Sequence, residues 1–133
     1  MTETTDIQYL VDEAAVLRVL SEYCLRLEVN PFEEWMDLFT DDTVYEVHRR
    51  TLCGRAEVAA MLSQAPEGTH MGGAVRITFD GDTATTVQNY VFLANDEKFS
   101  NRGWYYRTLV RTGRDWKIAH TKVVIHKPER PAT

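Results

Sequence analysis

The segment HMGGAVRITF-DGD-TATTVQNYVFLA-NDEK-FSNRGWYYRTLVR-TGRD-WKIAHTKVVIH, residues 70–126, decides the fold. Its four runs are rich in β-branched and aromatic residues, and each break between them carries turn chemistry. Asp80-Gly81 between two such runs is a strong short-range hairpin signal. Hairpin links make neighbouring strands antiparallel. The later runs carry bulky residues at both parities, Val87, Val91 and Leu93 against Tyr90 and Phe92, as strands buried on both faces do.

Upstream of this segment the period is helical. Residues 7–27 form a long amphipathic helix, with Thr4, Thr5 and Asp6 as candidate caps. With Tyr23 set at 0°, Val16 falls at about 20°, Leu27 at about 40°, Leu20 at about 60°, Cys24 at about 100°, Leu17 at about 120° and Glu28 at about 140°. Glu28 is thereby placed on the leucine side, where a carboxylate needs a partner, unless the helix frays at Asn30-Pro31 and releases it to water. Pro31 opens a second short helix, 31–39, with Glu33 and Glu34 at its dipole-favoured start, and Thr40-Asp41-Asp42 ends it. Residues 43–48 and 51–53 read as short strands, and 55–63 as a third helix with Val58, Met61 and Leu62 on one side. The class is α+β, with three helices toward the N-terminus packed on a curved, mostly antiparallel sheet of about six strands. One domain spans 1–133, with disordered ends at about 1–6 and 127–133. Three helices cover one face of such a sheet and enclose any cavity there. The other face is left for solvent or a partner, and its apolar residues favour a homodimer through the sheet.

Composition narrows the function. A net charge of −5 and a pI near 5.3 give no footprint for nucleic acid or an anionic membrane. No apolar run approaches a membrane span, and no leader or lipidation signal is visible. Cys24 and Cys53 lack Cys-x-x-Cys spacing and read as reduced packing residues, which points to the cytoplasm. His48, His120 and His126 show no metal-ligand spacing, and there is no phosphate loop or nucleophile elbow. Neither metal nor cofactor is expected. The run Tyr23 to Tyr45 instead has the look of a pocket mouth for a small apolar ligand, with Tyr23 and Glu28 closing an apolar helix and Trp35, Phe39 and Tyr45 following within one short connection.

Taken together these residues resemble the SnoaL-like proteins of the nuclear transport factor 2-like superfamily. The resemblance rests on Tyr23 with an acid five residues on at Glu28, WMDLFTDDTVY at 35–45, GRAEV at 54–58, THM at 69–71 and TLVRTGRDWKIA at 108–119. It implies a cone of helices against a strongly curved, mixed sheet with a deep apolar pocket. It also implies cofactor-free proton chemistry, as in polyketide cyclases, scytalone dehydratase, bile-acid dehydratases, a dehydrochlorinase and ketosteroid isomerase. Carried over by position, the resemblance assigns His70 as general base and acid, Glu28 as the group that orients it and Tyr23 as oxyanion donor. The implied substrate is a small carbonyl-bearing ring compound such as a polyketide or steroid. The second histidine of scytalone dehydratase and the further carboxylate of bile-acid dehydratases have no counterpart in residues 83–94, which offer Gln88, Asn89 and Tyr90. The run FEEWMDLFTDD, 32–42, also resembles the non-catalytic small subunits of ring-hydroxylating dioxygenases, so a binding protein or structural subunit is the alternative.

The residue types suit this chemistry. Elimination or isomerisation beside a carbonyl needs a base near neutral pKa and a donor for the developing oxyanion. His70 and Tyr23 are of those types, and a carboxylate beside the imidazole would fix its tautomer. Trp35, Phe39, Tyr45, Asn89, Tyr90 and Tyr106 are the candidate substrate contacts, with core packing as the plainer role for the aromatics. His70 shares parity with Gly72, Ala74, Arg76 and Thr78, the more polar side of its strand, so an outward orientation is the competing expectation.

Overall fold

The structure, a computed structural model, describes residues 3–126, with side chains from residue 6 onward. The elements in chain order are α1 (Glu3–Val29), α2 (Phe32–Met36), β1 (Phe39–Val47), β2 (Arg50–Cys53), α3 (Gly54–Leu62), β3 (Gly68–Asp80), β4 (Thr83–Ala94), β5 (Ser100–Thr112) and β6 (Asp115–Ile125). The six strands form one mixed, unclosed sheet in the order β2-β1-β6-β5-β4-β3. β1 runs parallel to β6, and the other neighbouring pairs are antiparallel. This is the α+β architecture expected from the turn chemistry, with α3 inserted between β2 and β3.

The first connections differ from the sequence expectation. α1 begins at Glu3, so Thr4, Thr5 and Asp6 lie inside it, and the expected disorder of 1–2 and 127–133 falls outside the described residues. α2 ends at Met36 rather than Phe39, and Thr40-Asp41-Asp42 belongs to β1. The reason is a strand contact that forms at once: the Ile118 amide donates to the Leu38 carbonyl at 2.8 Å, and Phe39 is fully buried beside it. Cys53 is exposed ahead of α3, while Cys24 is buried.

α1 buries Val16, Leu20, Tyr23 and Cys24 against the inner sheet face. Tyr23, Trp35 and Phe39 form an aromatic cluster with ring centroids 4.8–6.2 Å apart. The Trp35 indole N–H donates to the Tyr23 carbonyl at 3.0 Å, which pins α2 to α1. The buried stripe of α1 centres on Leu20 and Leu27, so Leu17 and Glu28, about 70° and 90° away from it, are exposed although the helix runs unbroken past both.

β3 changes its facing part-way along. Its pairing with β4 shifts register between Gly72 and Val75, so His70 and Gly72 face inward on one side of the irregularity and Val75, Ile77 and Phe79 on the other. Arg76 and Thr78 face out, and His70 is thereby separated from the polar parity that strict alternation implies. The outer face is not covered within one chain, contrary to strands buried on both sides: Met71, Val91, Leu93, Trp104 and Tyr106 are exposed there.

Asp12 closes the far end of the sheet against α1. Its carboxylate accepts from Arg111 Nη1 and Nη2 at 2.9 and 2.8 Å, and Arg111 also pairs with Asp82 and lies over the Trp116 ring. The Arg111 guanidinium holds the Asp12 carboxyl below the usual carboxylate range. A carboxyl depressed in the folded state contributes stability above its unfolded pKa of about 3.9, and that stability is lost as pH falls through the folded value. Asp12→Asn is expected to cost about 1–2 kcal/mol at pH 7. Urea unfolding should show wild type and variant converging as the pH is taken below that folded value.

Candidate active site

Between α1, α2, the loop after α3 and the inner sheet face lies an apolar cavity of about 800 Å³. A space of this size holds a small ring compound. Along the sheet the lining rows are Tyr105 with Val123, then Tyr90 with Ile125, then His70, Phe92 and Asn101 toward the start of β3, and Tyr23, Trp35 and Tyr45 line the cavity from α1, α2 and β1.

Two hydroxyls meet on the floor. Tyr23 Oη and Tyr45 Oη are 2.6 Å apart, in a buried hydrogen bond that either can donate. Burial pushes the Tyr23 phenol up, and that of Tyr45 well up, while the charge of Arg107 opposes the rise at both. Tyr90, stacked on Tyr105 at 4.3 Å, is raised by burial to about 12. At neutral pH these groups are therefore protonated donors.

His70 packs its ring on Phe92 at 4.6 Å and is half-buried, with Nδ1 buried and without a hydrogen-bond partner. Burial lowers its pKa, and the Glu28 charge partly restores it. The imidazole is thus neutral at pH 7. Glu28 sits at the rim, exposed and outside the cavity lining, and its Oε2 accepts from the main-chain N–H of His70 at 3.4 Å. That contact is with the backbone, not with a ring nitrogen.

The remaining candidates divide by strand parity. Trp35, Tyr45 and Tyr90 line the cavity with Tyr23 and His70. Phe39 is core, packed behind Trp35 and absent from the lining. Asn89 and Tyr106 are corrected to the outer face, because Gln88 and Tyr90, and Tyr105 and Arg107, take the inward positions on either side of them. Polar groups that the sequence did not mark for the site include Arg50, Ser63, Glu67 and Asn101 in the lining and Arg107 behind it. Asn101 lines the cavity with Oδ1 buried and unpartnered, and Arg107 is buried beneath the floor. Tyr105, Arg107 and Leu109 share one parity, which groups the arginine with apolar residues without showing that the set faces in. Nothing comparable marks Asn101. Among the described residues no three His, Cys, Asp or Glu side chains gather as metal ligands, and no helix is long and apolar enough to cross a membrane. His120 instead pairs with Glu46 at 2.6 Å, partly exposed on the sheet.

Known proteins share this architecture. A variant of Rv3472, a protein of unknown function from Mycobacterium tuberculosis, superposes with a TM-score of 0.81 at 22% identity, over 93% of this chain and 76% of that one. A putative scytalone dehydratase from Novosphingobium aromaticivorans gives 0.77 at 20% identity, over 90% and 87% of the two chains. The hexachlorocyclohexane dehydrochlorinase LinA-type3 of Novosphingobium barchaimii gives 0.80 at 16% identity, over 92% and 91%. At these identities the likeness is one of fold. No curated protein sequence matches the chain. The SnoaL-like domain family matches residues 8–122, nearly the whole described chain, and the protein belongs to that family.

Proposed function

We propose that the protein is a cofactor-free lyase or isomerase acting beside the carbonyl of a small apolar ring compound. The observation that carries this reading is a neutral, half-buried His70 facing the same apolar cavity as the Tyr23–Tyr45 hydroxyl pair. The fold neighbours named as a scytalone dehydratase and a dehydrochlorinase support a lyase-type reaction.

The His70 imidazole takes a proton from the carbon next to the carbonyl, and the C–H electron pair moves into an enolate. The Tyr23 hydroxyl donates to the enolate oxygen, itself supported by Tyr45. In elimination the enolate then expels a leaving group from the β carbon, and the imidazolium returns its proton to that group. In isomerisation the proton is returned to another carbon instead. Glu28 raises the proton affinity of His70 through its charge, at the rim. A polyketide or steroid ring fits the cavity volume. The unpaired cysteines suit a reducing cytoplasm.

The second reading is a ligand-binding protein or subunit without catalysis. It is favoured by the Glu28 contact, which leaves the imidazole without an orienting carboxylate. Solvent-proton exchange decides between the two. In deuterated water the enzyme should exchange the α protons of a small ring ketone, followed by NMR. His70→Ala should lower the rate by about 10²–10⁴-fold with affinity within about threefold, because it removes the base but little apolar contact. Exchange no faster than in buffer would leave the binding reading.

The charge state of the base is also testable. The His70 ring should titrate by NMR below the ordinary value of about 6.5, and Glu28→Gln should lower it further by removing the charge that opposes burial. Because the base works unprotonated, kcat/KM should hold at neutral pH and fall only as the pH drops through that lowered value.

We also propose that the outer sheet face pairs with a second copy through Met71, Val91, Leu93, Trp104 and Tyr106. Specific pairing of this kind buries about 1,200 Å² or more in total. Sedimentation should show a dimer at micromolar concentration and a monomer for Trp104→Glu. A wild type that sediments only as monomer contradicts it.

A further inference from the structure

Arg107 lies on the inner face of β5, one inward position below Tyr105, and is 2% exposed. Its guanidinium carbon sits 4.2 Å from the centroid of the Tyr23 ring and 4.0 Å from that of Tyr105, between two rings that face the cavity. Nη1 donates to Gln88 Oε1 at 2.9 Å, while Nε and Nη2 are buried without a partner. Its cross-strand neighbours Thr86 and Thr121 also hold buried hydroxyls with no partner. No carboxylate among the described residues pairs with it. The groups around it are Tyr23 and Cys24 of α1, Tyr45 of β1, Gln88 of β4 and Tyr105 of β5, with Tyr90 beyond Tyr105. Glu28, the carboxylate that acts on Cys24, is exposed at the rim.

A buried cation with no counter-charge is costly. The tyrosines do not supply one, since burial raises the phenols of Tyr23, Tyr45 and Tyr105 even against the arginine, so all three remain neutral. What the arrangement offers is a positive potential behind neutral hydroxyl donors. The group complementary to that is an anionic oxygen in the cavity.

We infer that Arg107 makes the cavity floor selective for an oxyanion, so that the site takes a small ring compound as its phenolate or enolate, the charged oxygen resting on the Tyr23–Tyr45 hydroxyls. Arg107 acts through the rings of Tyr23 and Tyr105 and is a positioning residue. The inference rests on the proposal that the cavity is a ring-compound site. It does not depend on His70 or on turnover.

The test uses nitrophenols of graded acidity as probes, bound to the purified protein above pH 7, where His70 is neutral. The visible absorbance of the phenolate reports the charge state of the bound probe. The wild type should bind phenolate at least about tenfold tighter than phenol, lowering the apparent pKa of the bound probe by about one unit or more. Arg107→Met should abolish this preference, and Arg107→Lys, which keeps the charge, should retain most of it. A bound phenol with a raised pKa, as an uncharged apolar pocket produces, overturns the inference, as does an unchanged preference in Arg107→Met or no binding of any probe. If Arg107→Met does not fold, the sign of the wild-type shift decides alone. Absence of ketone proton exchange with the phenolate preference intact would remove the catalytic reading and leave the oxyanion site standing.

Discussion

The site and the core share one strand because β3 breaks its register at Gly72. With an unbroken alternation, His70 on the cavity side would bring Arg76 and Thr78 inward with it, and Ile77 and Phe79 would face solvent. The irregularity between Gly72 and Val75 lets the mouth half of the strand present a histidine and the closed half present apolar residues. The space is tight. A Cβ on Gly72 would come within 2.4 Å of Gln88 Nε2, and one on Gly73 within 2.0 Å of Asn89 Oδ1. Gly72 therefore also protects the position of Gln88, the side chain that accepts from Arg107.

From that constraint follows a separation of polar groups along the cavity. In the row of His70, Phe92 and Asn101 is an imidazole whose pKa burial lowers. Apart from it lies a pair of tyrosine hydroxyls whose own ionisation is suppressed. Behind them is the guanidinium of Arg107, held between aromatic faces. A neutral imidazole and protonated hydroxyls backed by a guanidinium thus face one cavity, and the proposed proton transfer beside a carbonyl rests on that pairing.

Much of the fold was legible because its signals are local. Asp80-Gly81 and Gly113 mark tight turns, with positive φ at Gly81 and Gly113, and the strand runs between them agree with β3 to β6 within about two residues. The end of α2 was not legible, since it depends on the bond from Ile118 to Leu38, made by residues far apart in the chain. In the site, parity alone sorts Tyr105 from Tyr106 and Tyr90 from Asn89, but not which set faces in. His70 was ambiguous for a further reason: a bulge cannot be read from alternation, and the glycine pair was the one trace of it. Glu28 was placed by angle on the leucine side, yet the buried stripe is narrower than that arc, so the carboxylate reaches only the main chain of His70. Arg107 was hidden by its charge, which argues for the surface unless its aromatic neighbours are known.

The most direct measurement is the structure of a complex with a small ring ketone or phenol. The ligand oxygen should lie within hydrogen-bond distance, about 2.6–3.2 Å, of Tyr23 Oη or Tyr45 Oη, with the carbon next to it turned toward the His70 ring. A ligand found on the outer sheet face, or one in the cavity with its oxygen toward the mouth and only ring carbons on the tyrosine floor, would contradict the account.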